Sequence, residues 1–415
     1  MSSNTLHNII LTSKKKRLRK EKLRGLVEQI ILGRQKNACF INPAAGNSNH
    51  DCVSEEVRNR LGNERFEFYE SQGKKGITRD ASKYLAENKG LIVVIGGDGT
   101  YNEVVNAEGD LEQGVIVLIP NGTSSDSCRS VNTYNPERVY NVVNSLLNNR
   151  IRNKDYDKYI IPCDLMKITY DKDRVVRAIN SFSLGFSGEL CSRVETGVEK
   201  NQNKARLGGV KKKTRYVSEA LKLYKQGYEP FDTVCSFNND SVRKGPLEDL
   251  LTIFVMNGTY AGSNMRFNPE NQLNDGYLEG LFVRNMSKAS LIHGLEHVFL
   301  LKDNAHIDKK IDLSNPEEHI IHSANNNAGL EYNQLNTCYV KGIESIEMNI
   351  LEPESGKDYY FEVDGEPHRI DNPGAPIRVE VMPWATNVLR IPSEMPPLHP
   401  SLRIFHEINS GYSDF

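Results

Sequence analysis

A chain of 415 residues is long enough for two or three domains with buried cores. Its 52 Lys and Arg against 54 Asp and Glu leave a formal charge of -2, which argues against a nucleic-acid binder working through overall charge. Hydrophobic residues make up 38%, an ordinary globular composition.

The amino terminus opens with the weakly apolar "LHNIIL" and then the basic run "KKKRLRK" at 14–20. An export signal has the opposite order, charge before its apolar core, so a cytoplasmic protein is expected. Leu23, Leu26, Val27, Ile30 and Ile31 follow at helical spacing, and 1–36 reads as one basic amphipathic helix. Such a helix binds anionic lipid head groups, each basic residue contributing on the order of 1 kcal/mol. The plainer reading is a solvated charge run or a helix docked on the following domain, and a nuclear localisation signal is a third.

From 37 to 155, β-branched runs ("ACFIN", "RFEFYE", "LIVVI", "VIVLIP") alternate with helical stretches at 51–62, 76–88, 100–107 and 136–149. This predicts an α/β domain with a parallel sheet, whose strand carboxyl ends are available to ligands. From 156 to 392 short strands separated by Asn, Asp, Gly and Pro turns predict a mostly antiparallel β-sandwich, with helical patterns only near 212–227 and 287–302. Its last strand is placed to return to the first domain. Residues 393–415, which follow "RIP", read as a proline-rich tail. The longest apolar runs, such as "LLTIFVM" at 250–256, fall far short of the roughly 20 residues that span a bilayer. Seven scattered cysteines without a CxxC pair read as reduced core thiols.

The stretch "LIVVIGGDGTYNEVV" puts Gly96, Gly97 and Gly99 around Asp98 where a buried strand gives way to a helix. Thr100 and Glu103 have the spacing of a capping box. Three glycines give access to positive φ and allow close backbone approach by a ligand, usually a phosphate. An acid beside a phosphate implies a divalent cation between them or a proton to be accepted, so Asp98 points to Mg²⁺ or base chemistry. Similar loops follow two other strands: "FINPAAGNS", with Asn42, Pro43 and Gly46, and "LIPNGTSSDS", with Gly122, Thr123 and Asp126. An open α/β sheet would bring all three to one edge, although none matches a P-loop or a dinucleotide fingerprint. In the second half, "QLNDGYLEG" carries Asp275 and "YFEVDGEPHRI" carries Asp364 and Glu366. Each Asp-Gly is first of all a hairpin turn, and Glu366 adds an acid suited to general-base or metal-ligand work.

Taken in order, "NPAAG", "GGDGTYNEV", "PNGTSSD", "NDGYLEG" and "VDGE" closely resemble the diacylglycerol kinase catalytic-domain family, which includes sphingosine, ceramide and bacterial lipid kinases. The resemblance runs over roughly 37–392. It implies an ATP-dependent kinase acting on a lipid hydroxyl, with an α/β nucleotide domain and a β-sandwich that holds the lipid. ATP contacts would come from Asn42, Pro43, Ala44, Ala45, Gly46, Gly96, Gly97, Gly99, Thr100, Glu103, Gly122, Thr123 and Asp126. Asp98 would serve metal binding or catalysis, Asp275 the metal network, and Asp364 and Glu366 would lie near the phosphates; either Asp98 or the late acids would be the base. "SLGFSGEL" resembles the head-group stretch of sphingosine kinases and implies that Glu189 binds the lipid's polar head. "ARLGGVKKKTRY" resembles their helix that offers Arg206 and Arg215 to ATP.

Two departures bear on the substrate. Ser125 stands where many relatives have Asn, and Gly96 stands where sphingosine kinases tend to have Ser; this GGDGT is similar to the diacylglycerol and bacterial branches while "SLGFSGEL" resembles sphingosine kinases, so the substrate signals conflict. The implied partners are a lipid and, through 14–20 and 211–215, an anionic membrane surface contacted peripherally. Two rivals remain: an NAD kinase, which also carries GGDGT, and a degenerate member that binds lipid without turnover.

Overall fold

The computed structural model describes residues 3–43, 45, 50–73, 75–121, 125–151, 155–199, 209–240, 244–262, 264–268, 272–301, 306–307, 309–313, 336–353 and 357–392. The amino-terminal half runs α1 (Ser3–Ile31), β1 (Asn37–Ile41), α2 (His50–Leu61), β2 (Phe66–Glu70), α3 (Gly76–Glu87), β3 (Leu91–Gly96), α4 (Asp98–Val105), β4 (Val115–Pro120), α5 (Asp126–Ser130) and α6 (Pro136–Leu147). Its strands lie parallel in the order β2-β1-β3-β4. Strands β1 and β3 are buried throughout and β4 up to its last residue, as parallel strands covered on both faces must be. Alternation sorts their side chains: Cys39, Ile41, Val93 and Val117 join a core with α1, α2 and α6, whereas Ala38, Phe40, Ile92 and Leu118 pack towards α3 and α4.

The second half comprises α7 (Tyr156–Tyr159), β5 (Ile160–Tyr170), β6 (Arg174–Ala178), β7 (Ser181–Gly185), α8 (Phe186–Glu199), α9 (Gly209–Lys225), β8 (Phe231–Phe237), β9 (Lys244–Met256), β10 (Tyr260–Ala261), β11 (Met265–Arg266) and β12 (Leu278–Arg284). Then come α10 (Lys288–Glu296), β13 (Lys309–Asp312), β14 (Thr337–Ile343), β15 (Ser345–Ile350), β16 (Tyr359–Val363), β17 (Glu366–Ile370) and β18 (Ile377–Leu389). Most neighbours here pair antiparallel. They share one sixteen-stranded sheet with the first half because β18 spans both: β5 pairs with it at both ends, while on its other edge the early residues pair with β15 and Val388 lies parallel to Ile116 of β4. The change of partner coincides with a break in register between Met382 and Thr386, where Trp384 takes a φ of 52°.

Helix α1 lies on the domain. Leu23, Leu26, Val27 and Ile30 enter the core beside α6. Arg19, in the basic run, points inward: it pairs with Glu112 and donates to Trp384 O at 2.9 Å and Asn387 Oδ1 at 3.1 Å. Side chains before Arg17 and the tail from 393 lie outside the described residues. Among the described residues, no helix is long and apolar enough to cross a membrane.

Candidate active site

Strand β3 ends at Gly96, and Gly97, extended at φ -105°, is the residue from which α4 starts. The helix therefore begins three residues earlier than a capping box at Thr100 and Glu103 requires, and that expectation is corrected. Gly97 O accepts from Thr100 N at 2.9 Å and Tyr101 N at 3.2 Å, while the two side chains work elsewhere. Thr100 Oγ1 accepts from the Asn42 amide at 3.1 Å, fastening the β1 loop to the glycine loop. Glu103 Oε2 accepts from Ile77 N at 3.1 Å and Thr78 N at 3.3 Å, so it caps α3.

The glycines are explained by crowding and not by positive φ, since none of the three is left-handed. A Cβ at residue 96 would strike the Thr100 side chain, and one at residue 99 would strike the carboxylate of Glu366. Glu366, more than 260 residues away in sequence, thus closes over the first turn of α4.

Each late acid has a distinct setting. Asp364 and Gly365 have φ of 49° and 88° and form the two-residue hairpin turn between β16 and β17. The Asp364 carboxylate turns inward and accepts from Ile179 N at 2.9 Å, Asn180 N at 3.0 Å, Ser181 N at 2.9 Å and the Asn102 amide at 3.1 Å. Burial pushes its pKa up to about 6 against the pull of these donors. Glu362, two residues earlier on β16, accepts from Ser183 Oγ at 2.7 Å and Gly365 N at 2.5 Å. Burial, reinforced by the charges of Asp364 and Asp126, raises it to about 7. Asp98 is occupied by α5: its oxygens accept from Asp126 N at 3.0 Å and Ser127 N at 2.9 Å. These two bonds hold the loop in which Ser125 is left-handed and fully buried.

A single cleft of about 1100 Å³ joins these features. At one end lie Asn42, Lys75, Gly97, Asp98, Gly99 and Thr100. Ser183, Glu195, Glu362 and Asp364 occupy the middle, and Glu366 reaches back over Gly99. Phe186, Leu190, Phe254, Leu281, Met286 and Val298 line an apolar chamber at the other end, between β9, β12 and the helices α8 and α10.

Compared with known proteins, residues 36–158 match the family model of the diacylglycerol kinase catalytic domain. That segment belongs to this family. Beyond the catalytic domain the likeness is one of fold. A solved structure from Bacillus anthracis str. Sterne, described as a candidate diacylglycerol kinase, is 17% identical, with 87% of this chain and 97% of that one covered at a TM-score of 0.56. A second with the same description and source is 18% identical, covering 87% and 99% at 0.54. A third, described as a diacylglycerol kinase of the same strain, is 15% identical, covering 87% and 98% at 0.50. No curated protein matches the chain.

Within the diacylglycerol kinase catalytic domain, Asn42, Ala45, Gly97, Asp98, Gly99, Thr100, Glu103 and Asp126 line the cleft, and Gly96 lies beneath Thr100. Pro43 is part-buried beside them, while Ala44, Gly46, Gly122, Thr123 and Arg206 lie outside the described residues. Three expected roles need correction. Asp275 lies in the turn before β12, off the cleft, with Oδ1 accepting from Tyr277 N at 3.0 Å. Glu189 sits on the outer face of α8, paired with Arg193 at 2.6 Å, beside a separate surface groove. Helical spacing puts Phe186, Leu190, Cys191 and Glu195 on the cleft side instead. Arg215 does not line the cleft, although its neighbour Tyr216 does.

Among the described residues no cluster of three or more His, Cys, Asp or Glu is arranged to hold a metal. Asp98 lines the cleft with each oxygen accepting one backbone amide, which leaves each a further lone pair. Sequence reasoning missed Glu362, Glu195 and Lys75, the last being the cation among the described lining residues. The i, i+4 pattern of α8 carried the signal for Glu195, and the "GKKG" turn before α3 carried it for Lys75. Glu362 was hidden in a strand pattern.

Proposed function

We propose that the protein is an ATP-dependent kinase that transfers the γ-phosphate to a lipid hydroxyl. The observation that carries this reading is the continuity of the cleft: the amino terminus of α4 opens at one end and an apolar chamber at the other. The exposed N–H groups and positive dipole end of α4 stabilise phosphate oxygens, and Lys75 adds a cation at the same end. The chamber takes the acyl or sphingoid chain and removes its apolar surface from water. The lipid hydroxyl is then held at the middle of the cleft, where catalysis consists largely of positioning against the γ-phosphate.

Ile292 of α10 and Leu301 at the end of the helical turn that follows it are 48% and 56% exposed, which fits peripheral contact with a membrane from which the lipid is drawn. The test is transfer from γ-labelled ATP to diacylglycerol, monoacylglycerol, sphingosine and ceramide in mixed micelles, with NAD as a soluble acceptor. Label in a lipid is expected. Label in NAD alone would replace this reading with a soluble nucleotide kinase, and label in nothing would leave a binding protein.

A further inference from the structure

We infer that His293 of α10 and His297, the residue that caps it, form a chelating pair for a divalent transition-metal ion of the zinc class, outside the cleft described above. The inference goes beyond the kinase reading and does not depend on it. Residues four apart on a helix stand one above the other on the same face, and here the two Nε2 atoms meet at 3.2 Å with the rings at 82° to each other. Two imidazole nitrogens on one tetrahedral zinc, each at about 2.0–2.1 Å, lie roughly 3.3–3.4 Å apart. The pair therefore already has the bite of a metal chelate.

The surroundings favour a cation between the rings. Two nitrogens this close need a positive group between them, and in the metal-free protein one ring supplies it by donating its N–H to the other. Glu296 Oε2 lies 3.7 Å from His293 Nδ1, the ring nitrogen that does not face His297. A carboxylate there draws the ring proton to Nδ1 and leaves the Nε2 lone pair to the metal, as partners behind zinc-bound histidines do. The His293 side chain is 54% exposed, so an ion reaches it from solvent. Imidazole pairs take zinc, copper or nickel, whereas magnesium and calcium prefer oxygen ligands. Glu296 acts on the ring and not on the ion, so two protein ligands leave the other positions to water, in keeping with the lack of a three-group cluster among the described residues.

The position of the pair gives a bound ion a mechanical effect. His293 lies in regular α-helix and His297 opens the π-helical turn His297–Leu301, so an ion held by both spans the junction between them. Leu291, Gly294 and Val298, around the same junction, line the apolar chamber. A clip on the solvent side of this segment stiffens the wall that the chamber uses on its inner side.

The test uses the full-length protein, dialysed against a chelator, with Zn²⁺ alone as the probe. Calorimetry should show a binding step that His293→Ala and His297→Ala each weaken by about tenfold or more, and Glu296→Gln by less. Alanine is a good helix former, and a melt of each variant verifies that it folds. Zn²⁺ should raise Tm and slow hydrogen exchange of the amides at 293–301 in wild type, with neither effect in His297→Ala. Co²⁺ in place of Zn²⁺ reports the ligand type, since cysteine ligands give a thiolate charge-transfer band and an imidazole pair does not. A wild type that binds no Zn²⁺, binding equal in wild type and both histidine variants, or a thiolate band in the step those variants lose overturns the inference. Each of these results leaves the kinase reading, which the lipid panel tests, untouched.

Discussion

Asp98, which the sequence marks for metal binding or catalysis, also fastens the start of α5. Truncating it to Ala leaves the buried N–H groups of Asp126 and Ser127 without acceptors, at a cost of about 1–3 kcal/mol each. We therefore expect Asp98→Ala to lower Tm as well as turnover, which a melt run beside the assay would reveal; an unchanged Tm would contradict the fastening role. Gly99→Ala should be milder, because its Cβ meets only the end of the exposed Glu366 side chain, which can turn aside, and Glu366→Ala beside it should remove that contact. The buried acids give a pH signature of known sign. Asp364 and Glu362 bind protons more tightly folded than unfolded, so their contribution to stability is full below about pH 4 and is lost as pH rises through about 6 and 7. Denaturant titrations from pH 4 to 8 should show this decline, and Glu362→Gln should flatten its upper part. At this scale the sequence revealed which residues assemble but not what each one touches. The spacing of GGDGT marks a loop, whereas the collision of Gly99 with Glu366 depends on a hairpin formed at the other end of the chain.

At the level of elements, α1 is the clearest case of a pattern with two readings. Its apolar spacing was legible, and the basic run beside it suggested lipid. Arg19 instead turns inward to Glu112 and to the β18 residues Trp384 and Asn387. Arg19→Ala should therefore destabilise the fold by roughly 2 kcal/mol, read as a shift in denaturation midpoint, through loss of hydrogen bonds to a charged group. Vesicle affinity, on the proposed reading, should depend more on α10. Replacing Ile292 and Leu301 with Asp should weaken turnover of lipid in anionic vesicles several-fold while sparing turnover of a short-chain soluble analogue; equal loss on both would count against membrane contact there. The parallel strands of the first half were readable because burial on both faces makes them continuously apolar. Helix α8 was not read in the sequence, which showed helical patterns in this half only near 212–227 and 287–302, so the face it turns to the cleft was missed and Glu189 lies on its other side.

Over the whole molecule, β18 decides how the site is built. It leaves the antiparallel half, breaks register near Trp384 and ends against β4, so the two halves share one sheet and the acid hairpin meets the glycine loop. The sequence places the last strand to return to the first domain, whereas its partner there, Ile116 opposite Val388, follows from a pairing between residues hundreds of positions apart. The functional reading depends on the resulting cleft, which makes a phosphate site and a lipid chamber parts of one cavity. Comparing Leu281→Trp with wild type probes it, with ATP affinity read by calorimetry and label transfer to lipid followed in the same preparation. The bulky side chain should fill the chamber, abolishing lipid phosphorylation with ATP affinity retained. Undiminished transfer to lipid in a folded Leu281→Trp protein would contradict a lipid chamber at that end of the cleft.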